Sequence, residues 1–152
     1  MDITRIIVPV DYSEHARVTL EYAATLAKGF GAALDVIHVW DKPNFVPETT
    51  VVSQGGEPAQ SLADLIRGNA EREMRDFLAA AKLPEGVTAT HHLEAGEPVS
   101  AILEAIEHHK SDLVVMGTHG RTGARHLLLG SVAEKLVRLS PVAVITVPPV
   151  AR

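Results

Sequence analysis

Apolar residues along this chain occur in two alternating patterns: short continuous runs, and longer segments with an apolar residue every three or four positions. Continuous runs of strand length read as buried strands, and the wider spacing reads as one face of a helix. Ile3 to Val10 is the first run, closed by Pro9 and Asp11. Ser13 then offers an N-cap for a helix whose Ala16, Leu20, Ala23, Ala24 and Ala27 fall on one face, with Gly29 and Gly31 closing it. Ala33 to Val39 predicts a second strand, apolar apart from Asp35 and His38.

Trp40 to Gly56 breaks the pattern, with Pro43, Pro47, Gly55 and Gly56 and no sustained period. A second helix is expected from near Pro58, with a stripe of Leu62, Leu65, Ile66, Ala70, Met74, Phe77, Leu78 and Ala81, ending before Pro84 and Gly86. Val87 to Leu93 predicts a third, more polar strand. Pro98 suits the first turn of a third helix carrying Val99, Ile102, Leu103 and Ile106 on one face. Leu113 to Met116 predicts the fourth strand, Ser131 to Leu139 the fourth helix and Val142 to Val147 the fifth strand. Five strands alternating with four helices, most strands apolar throughout, predict a parallel sheet covered on both faces. The expected fold is a single α/β doubly wound domain, Rossmann-like.

Composition narrows the function classes. At 152 residues the chain is long enough to bury a core, and 46% apolar with 4% aromatic content suits an Ala/Val/Leu/Ile interior. With no cysteine there is no disulfide scaffold, Cys-ligated zinc or thiol nucleophile. A net charge of -5 argues against a nucleic-acid partner, which draws on a basic surface. Neither a signal peptide nor an apolar run of bilayer-spanning length is read, so the expectation is a cytoplasmic protein with no membrane partner.

The candidate chemistry lies after the fourth strand. Gly117-Thr118-His119-Gly120 is followed by nine residues and then Gly130-Ser131 at the start of a helix. Glycines let backbone N–H groups approach an anion without a Cβ in the way, and a helix N-terminus adds unpaired donors and partial positive charge. Arg121, Arg125 and His126 lie between the glycines, so the arrangement reads as a phosphate site rather than a plain turn.

This Gly-x2-Gly-x9-Gly-Ser spacing, set between the penultimate strand and the last helix–strand unit, resembles the nucleotide-binding signature of the universal stress protein family. The likeness covers essentially the whole chain. Ile6-Ile7-Val8-Pro9-Val10-Asp11-Tyr12-Ser13 resembles that family's opening strand and turn, and Ser140-Pro141-Val142-Ala143-Val144-Ile145-Thr146-Val147 its final strand. The resemblance implies a five-stranded sheet of order 3-2-1-4-5 and an ATP ligand, since members lacking the motif are those thought not to hold ATP. That order puts the topological switch between strands one and four, with Asp11 and Gly117 flanking one crevice.

Within that crevice Asp11 is the candidate partner for ribose hydroxyls, because a carboxylate can accept two O–H bonds; its alternative is a turn aspartate assisting the cap at Ser13. Pro9, Val10, Val39 and Met116 could form an adenine slot, as equivalent positions do in ATP-binding relatives, or could simply be core. Gly120, Gly130, Ser131 and the N–H of Val132 are placed against the phosphates. The Ser131 hydroxyl could also cap the fourth helix or ligate a divalent ion, Mg²⁺ or Mn²⁺, carried with the nucleotide. Arg121 and Arg125 could add charge at the outer phosphates or be solvated loop residues. The segment Trp40 to Gly56 is expected to be mobile without ligand and to cover part of the crevice with it.

Other motifs are absent from the sequence. It has no Gly-x4-Gly-Lys-Ser/Thr, no Gly-x-Gly-x-x-Gly after the first strand, no Ser-Gly-Gly-x-Asp-Ser loop and no Gly-x-Ser-x-Gly elbow. His91-His92 and His108-His109 are adjacent pairs whose members diverge on a strand or helix, so neither pair converges on one ion. The fifth strand is uncharged although the family's order makes it an edge, which predicts a homodimer through Val142 to Val147. The expected function is an ATP-binding, stress-response regulatory module; the alternative is a slow ATPase or phosphotransfer enzyme using the same pocket.

Overall fold

In a strand, successive side chains point to opposite faces, so a continuous apolar run can be buried only if both faces are covered. The computed structural model, which describes residues 2–40, 50–52, 60–118 and 129–149, meets that requirement with two layers of helices. In chain order the elements are β1 (Arg5–Pro9), α1 (Glu14–Phe30), β2 (Ala33–Trp40), β3 (Val51–Val52), β4 (Gln60–Ser61) and α2 (Leu62–Ala80). Then follow β5 (Ala89–Ala95), α3 (Pro98–His109), β6 (Leu113–Gly117), α4 (Ser131–Leu139) and β7 (Ala143–Val147). The main sheet is parallel, in the order β5-β2-β1-β6-β7, the expected 3-2-1-4-5 arrangement of the five long strands.

The parity of the strands splits the core in two. Ile6, Val8, Leu34, Val36, Leu113 and Val115 pack toward α1 and α2, against Leu20, Ala24, Met74 and Phe77. Ile7, Ile37, Val114 and Met116 pack toward α3 and α4, against Val99, Ile102, Ile106 and Leu136. Completely burying one such Val, Leu or Ile contributes about 1.5–3 kcal/mol, so these two layers hold the sheet. On α1 the buried positions Ala16, Thr19, Leu20, Ala23, Ala24 and Ala27 follow the helical period, and small alanines let the helix sit close to the strands.

Several boundaries differ from the sequence reading. Helix α1 stops at Gly31, where φ is 66° and the backbone N–H reaches Ala27 O and Lys28 O; Gly29 lies inside the helix. Helix α2 begins at Leu62 rather than near Pro58, because the Ser61 hydroxyl accepts from Asp64 N at 3.1 Å and caps it there. The connection before it contains an antiparallel two-stranded ladder, Val51 with Ser61 and Val52 with Gln60, too short to leave a period in the sequence. Strand β5 runs on to Ala95. The remainder of the segment expected to form a lid lies outside the described residues.

Candidate functional site

The strands of a parallel sheet all end on one side, and there the connection after β1 and the one after β6 part to opposite faces. A cavity of about 280 Å³ opens at that point, slightly below the roughly 300–1,000 Å³ usual for small-molecule sites. Most of its wall comes from four places, and Ala16 of α1 with Pro98 and Ile102 of α3 complete it. Pro9 ends β1 and Val10 and Asp11 follow it, and Ile37, His38 and Val39 lie near the end of β2. Met116 and Gly117 end β6 and Thr118 follows it, and Gly130 precedes α4, which Ser131, Val132 and Ala133 begin. The structure thus brings together nine of the residues singled out by sequence: Pro9, Val10, Asp11, Val39, Met116, Gly117, Gly130, Ser131 and Val132. Gly120 and Arg121 lie outside the described residues, as does Arg125.

Hydrogen bonds fix the crevice's first wall. Val10 N donates to Ile37 O at 2.8 Å, extending the β1–β2 pairing one residue past β1. The Asp11 Oδ1 accepts from Ser13 N at 3.1 Å and from Ser13 Oγ at 2.6 Å, and Ser13 Oγ accepts from Ala16 N at 3.1 Å. Asp11 therefore does assist the α1 cap, and this holds its carboxylate rigidly at the crevice rim. Tyr12, between them, takes the left-handed conformation with φ at 63°, so the chain turns sharply between strand and helix. Its ring lies 4.1 Å from that of His38, and His38 Nδ1 is 2.8 Å from Val10 O. A carbonyl can only accept, so Nδ1 carries the proton.

The second wall is tied down just as firmly at its base. Thr118 N donates to Val147 O at 3.1 Å, and Gly130 N donates to Thr118 O at 2.7 Å. His15 Nε2 also donates to Val147 O, at 2.9 Å, joining the start of α1 to the end of β7.

Helix α4 begins at Ser131 as expected, but Ser131 does not cap it. Its N-cap is Gly130, with φ −60° and ψ 153° and no side-chain cap bond; Ser131 is the first helical residue, and it is exposed. The first intrahelical bond is Glu134 N to Gly130 O at 2.8 Å, which leaves the N–H groups of Ser131, Val132 and Ala133 without an intrahelical acceptor. An open helix terminus with its dipole directed at a cavity favours an anion there. Since the Gly130 backbone angles suit any residue, what glycine supplies is the absence of a Cβ.

Sequence reasoning missed Ala16, Ile37, His38, Thr118 and Ala133, together with two residues of α3, Pro98 and Ile102. Thr118 lay inside the glycine motif, and Pro98 follows a strand end on the same side of the sheet, so each carried a usable signal. Among the described residues, no cluster of three His, Asp or Glu side chains could hold a metal ion, and no helix is long and apolar enough to cross a membrane.

Comparison with known proteins agrees with this fold. The model of the universal stress protein family matches residues 2–148. A universal stress protein of Methanocaldococcus jannaschii is 34% identical over 149 residues, which span 95% of this chain and 82% of that relative. The solved structure of a protein named MJ0577 superposes with a TM-score of 0.77 at 22% identity, covering 100% of both chains. Two further solved structures carry bound nucleotides. A universal stress protein in complex with cAMP gives a TM-score of 0.63 at 22% identity, covering 97% of this chain and 98% of that one. One from Archaeoglobus fulgidus in complex with dAMP gives 0.58 at 23% identity, covering 96% and 98%.

Proposed function

The chain belongs to the universal stress protein family, and from that premise we propose that it is a regulatory module that holds ATP, with Mg²⁺ or Mn²⁺, in the crevice between β1 and β6. The observation that carries this reading is the uncapped start of α4, opening into an apolar cavity beside a fixed carboxylate. The cAMP and dAMP found in related structures are adenine nucleotides, which supports the same ligand class.

In this reading Pro9, Val10, Val39 and Met116 form the slot for the base, and Asp11 accepts from the ribose hydroxyls, since a carboxylate oxygen can take more than one O–H bond. The N–H groups of Ser131, Val132 and Ala133 face the phosphates, and Gly117, Gly120 and Arg121 join them on the strength of the motif's spacing. The described residues fit a metal only in part. Ser131 Oγ is one hard oxygen ligand, so phosphates and water would complete the shell, as suits Mg²⁺. Mass spectrometry of ligand released from purified protein, followed by calorimetry with ATP and Mg²⁺, tests the assignment. Absence of any adenine nucleotide, together with no measurable heat of ATP binding, refutes it.

The same reading includes a homodimer through β7. This strand is an edge of the sheet, its Val144, Ile145 and Val147 are half-buried, and it carries no charge. Neighbouring α4 exposes Val137 at 50% and Leu139 at 58%. A two-fold contact would cover such an edge with itself. Light scattering is expected to give a dimer mass that Val144→Lys reduces to a monomer; a monomer mass for the parent protein, with and without ATP, overturns it.

A further inference from the structure

Asp35 interrupts the apolar run of β2, and it is the one charged side chain among the described residues that is buried, at 1% exposure. It lies on the α3 face of the sheet, where three elements meet it. Arg5 of β1 places Nη1 2.8 Å from Asp35 Oδ2, and His92 of β5 places Nε2 2.8 Å from Oδ1. The His92 ring is in turn stacked on that of His109, at the end of α3, with centroids 4.0 Å apart and planes 35° from parallel. His108 touches His109 edge-on at 4.9 Å. The two histidine pairs of the sequence thus each contribute one member to a contact between elements. The crevice uses none of these residues.

The charge balance of this cluster depends on pH. With both stacked rings neutral, Arg5 and Asp35 cancel. With both protonated, three positive groups surround one carboxylate in a partly buried site, and two of them are rings in contact.

We propose that this cluster is an acid-responsive latch, in which protonation of His109 against a protonated His92 separates the two rings and frees the end of α3 from edge strand β5. Burial, and then the neighbouring His92, hold the His109 imidazole below the ordinary histidine range, with Asp35 opposing them and His108 and Arg5 adding to them. Those four residues, from β1, β2, β5 and α3 itself, are the titratable and charged groups that act on it from the elements around it. A depressed value means that the closed latch binds its proton less readily than the open one. Its contribution is therefore complete above the ordinary imidazole value of about 6.5 and is lost as pH falls from there through the depressed value. Helix α3 carries Pro98 and Ile102 into the crevice wall at its other end, so release at His109 loosens one side of the site. Lys110, in the left-handed conformation with φ at 55°, makes the remaining closure of that helix end a strained one.

The test follows His109 and His92 by histidine ring-proton NMR, and the amides of α3 and β5 by hydrogen exchange at pH 5.5 and 7.5, corrected for intrinsic rates. His109 is expected to titrate below a histidine in an unstructured peptide. Protection in α3 and β5 should fall on acidification by about tenfold per unit of that displacement, while β1 and β6 hold theirs. His109→Gln and His92→Gln, each keeping a polar side chain that does not titrate, should abolish the acid-induced loss. The latch is refuted if His109 titrates normally in the parent protein, which needs no variant, or if both variants loosen in acid as the parent does.

Discussion

Helix α3 meets the crevice with Pro98 and a carboxylate cap: Glu97 Oε2 accepts from Ser100 N at 2.8 Å and from Ser100 Oγ at 3.0 Å. Helix α4 meets the same crevice with Gly130 and Ser131 and no side-chain cap at all. Both helices bury an apolar stripe against the same face of the sheet, so packing does not separate them. The difference lies in what their first N–H groups face. At α3 the donors are satisfied from within the chain and a negative charge already occupies the positive end of the dipole; at α4 no such carboxylate cap is found among the described residues. A helix start with glycine in place of a capping side chain loses only roughly a few tenths of a kcal/mol of stability, so leaving α4 uncapped costs the fold little.

The strongest test makes α4 begin as α3 does. Gly130→Asp introduces a carboxylate at backbone angles that suit an N-cap, where it would bond the helix's own N–H groups and repel phosphate. ATP affinity is expected to fall about a hundredfold or more, while the thermal midpoint holds or rises slightly; calorimetry measures both. Unchanged ATP binding in the folded variant would break the comparison.

A smaller loss is expected on the opposite wall. Asp11→Ala removes charge-assisted hydrogen bonds worth roughly 1.5–3 kcal/mol, or about ten- to a hundredfold in ATP affinity. Affinity equal to that of the parent would remove Asp11 from the ribose. The smallest effect concerns α3 itself. Bonds from Ser100 N and Oγ hold the Glu97 carboxyl below the usual carboxylate range. That cap therefore stabilises the fold above the ordinary carboxylate value, and its contribution disappears as acidification passes the depressed one. Glu97→Gln should flatten the acid side of a plot of thermal midpoint against pH and leave ATP affinity at neutral pH unchanged. An altered affinity would mean that α3 also faces the ligand's charge.

Periodicity located the strands of the main sheet and the four helices because each buries side chains at its own spacing. It could not locate β3 and β4, whose two-residue strands are too short to repeat anything. The start of α2 was misplaced for a local reason. Pro58 and Ser61 both suit its beginning; likewise Gly130 and Ser131 both suit the cap of α4, whose first residue, Ser131, was read correctly. The choice depends on where the backbone turns helical, which neither residue type dictates. Asp11 and the glycine motif pointed to the crevice, since both lie at strand ends, but Ile102 reaches it only through the way α3 crosses the sheet. The meeting of His92 with His109 was illegible for the same reason. Each looked like half of a diverging pair, and only the packing of α3 beside β5 makes the contact.

The hydrogen bond from Gly130 N to Thr118 O has a consequence for descent as well as for binding. It clamps the two ends of the β6–α4 connection together, independently of whatever lies between them. Chain inserted there would not displace the sheet, and doubling the length of such a loop costs only about 0.6 kcal/mol in closure entropy. A lineage can therefore rewrite the sequence between Thr118 and Gly130 while inheriting the scaffold intact, and proteins of this fold can diverge in that connection faster than in how they are built.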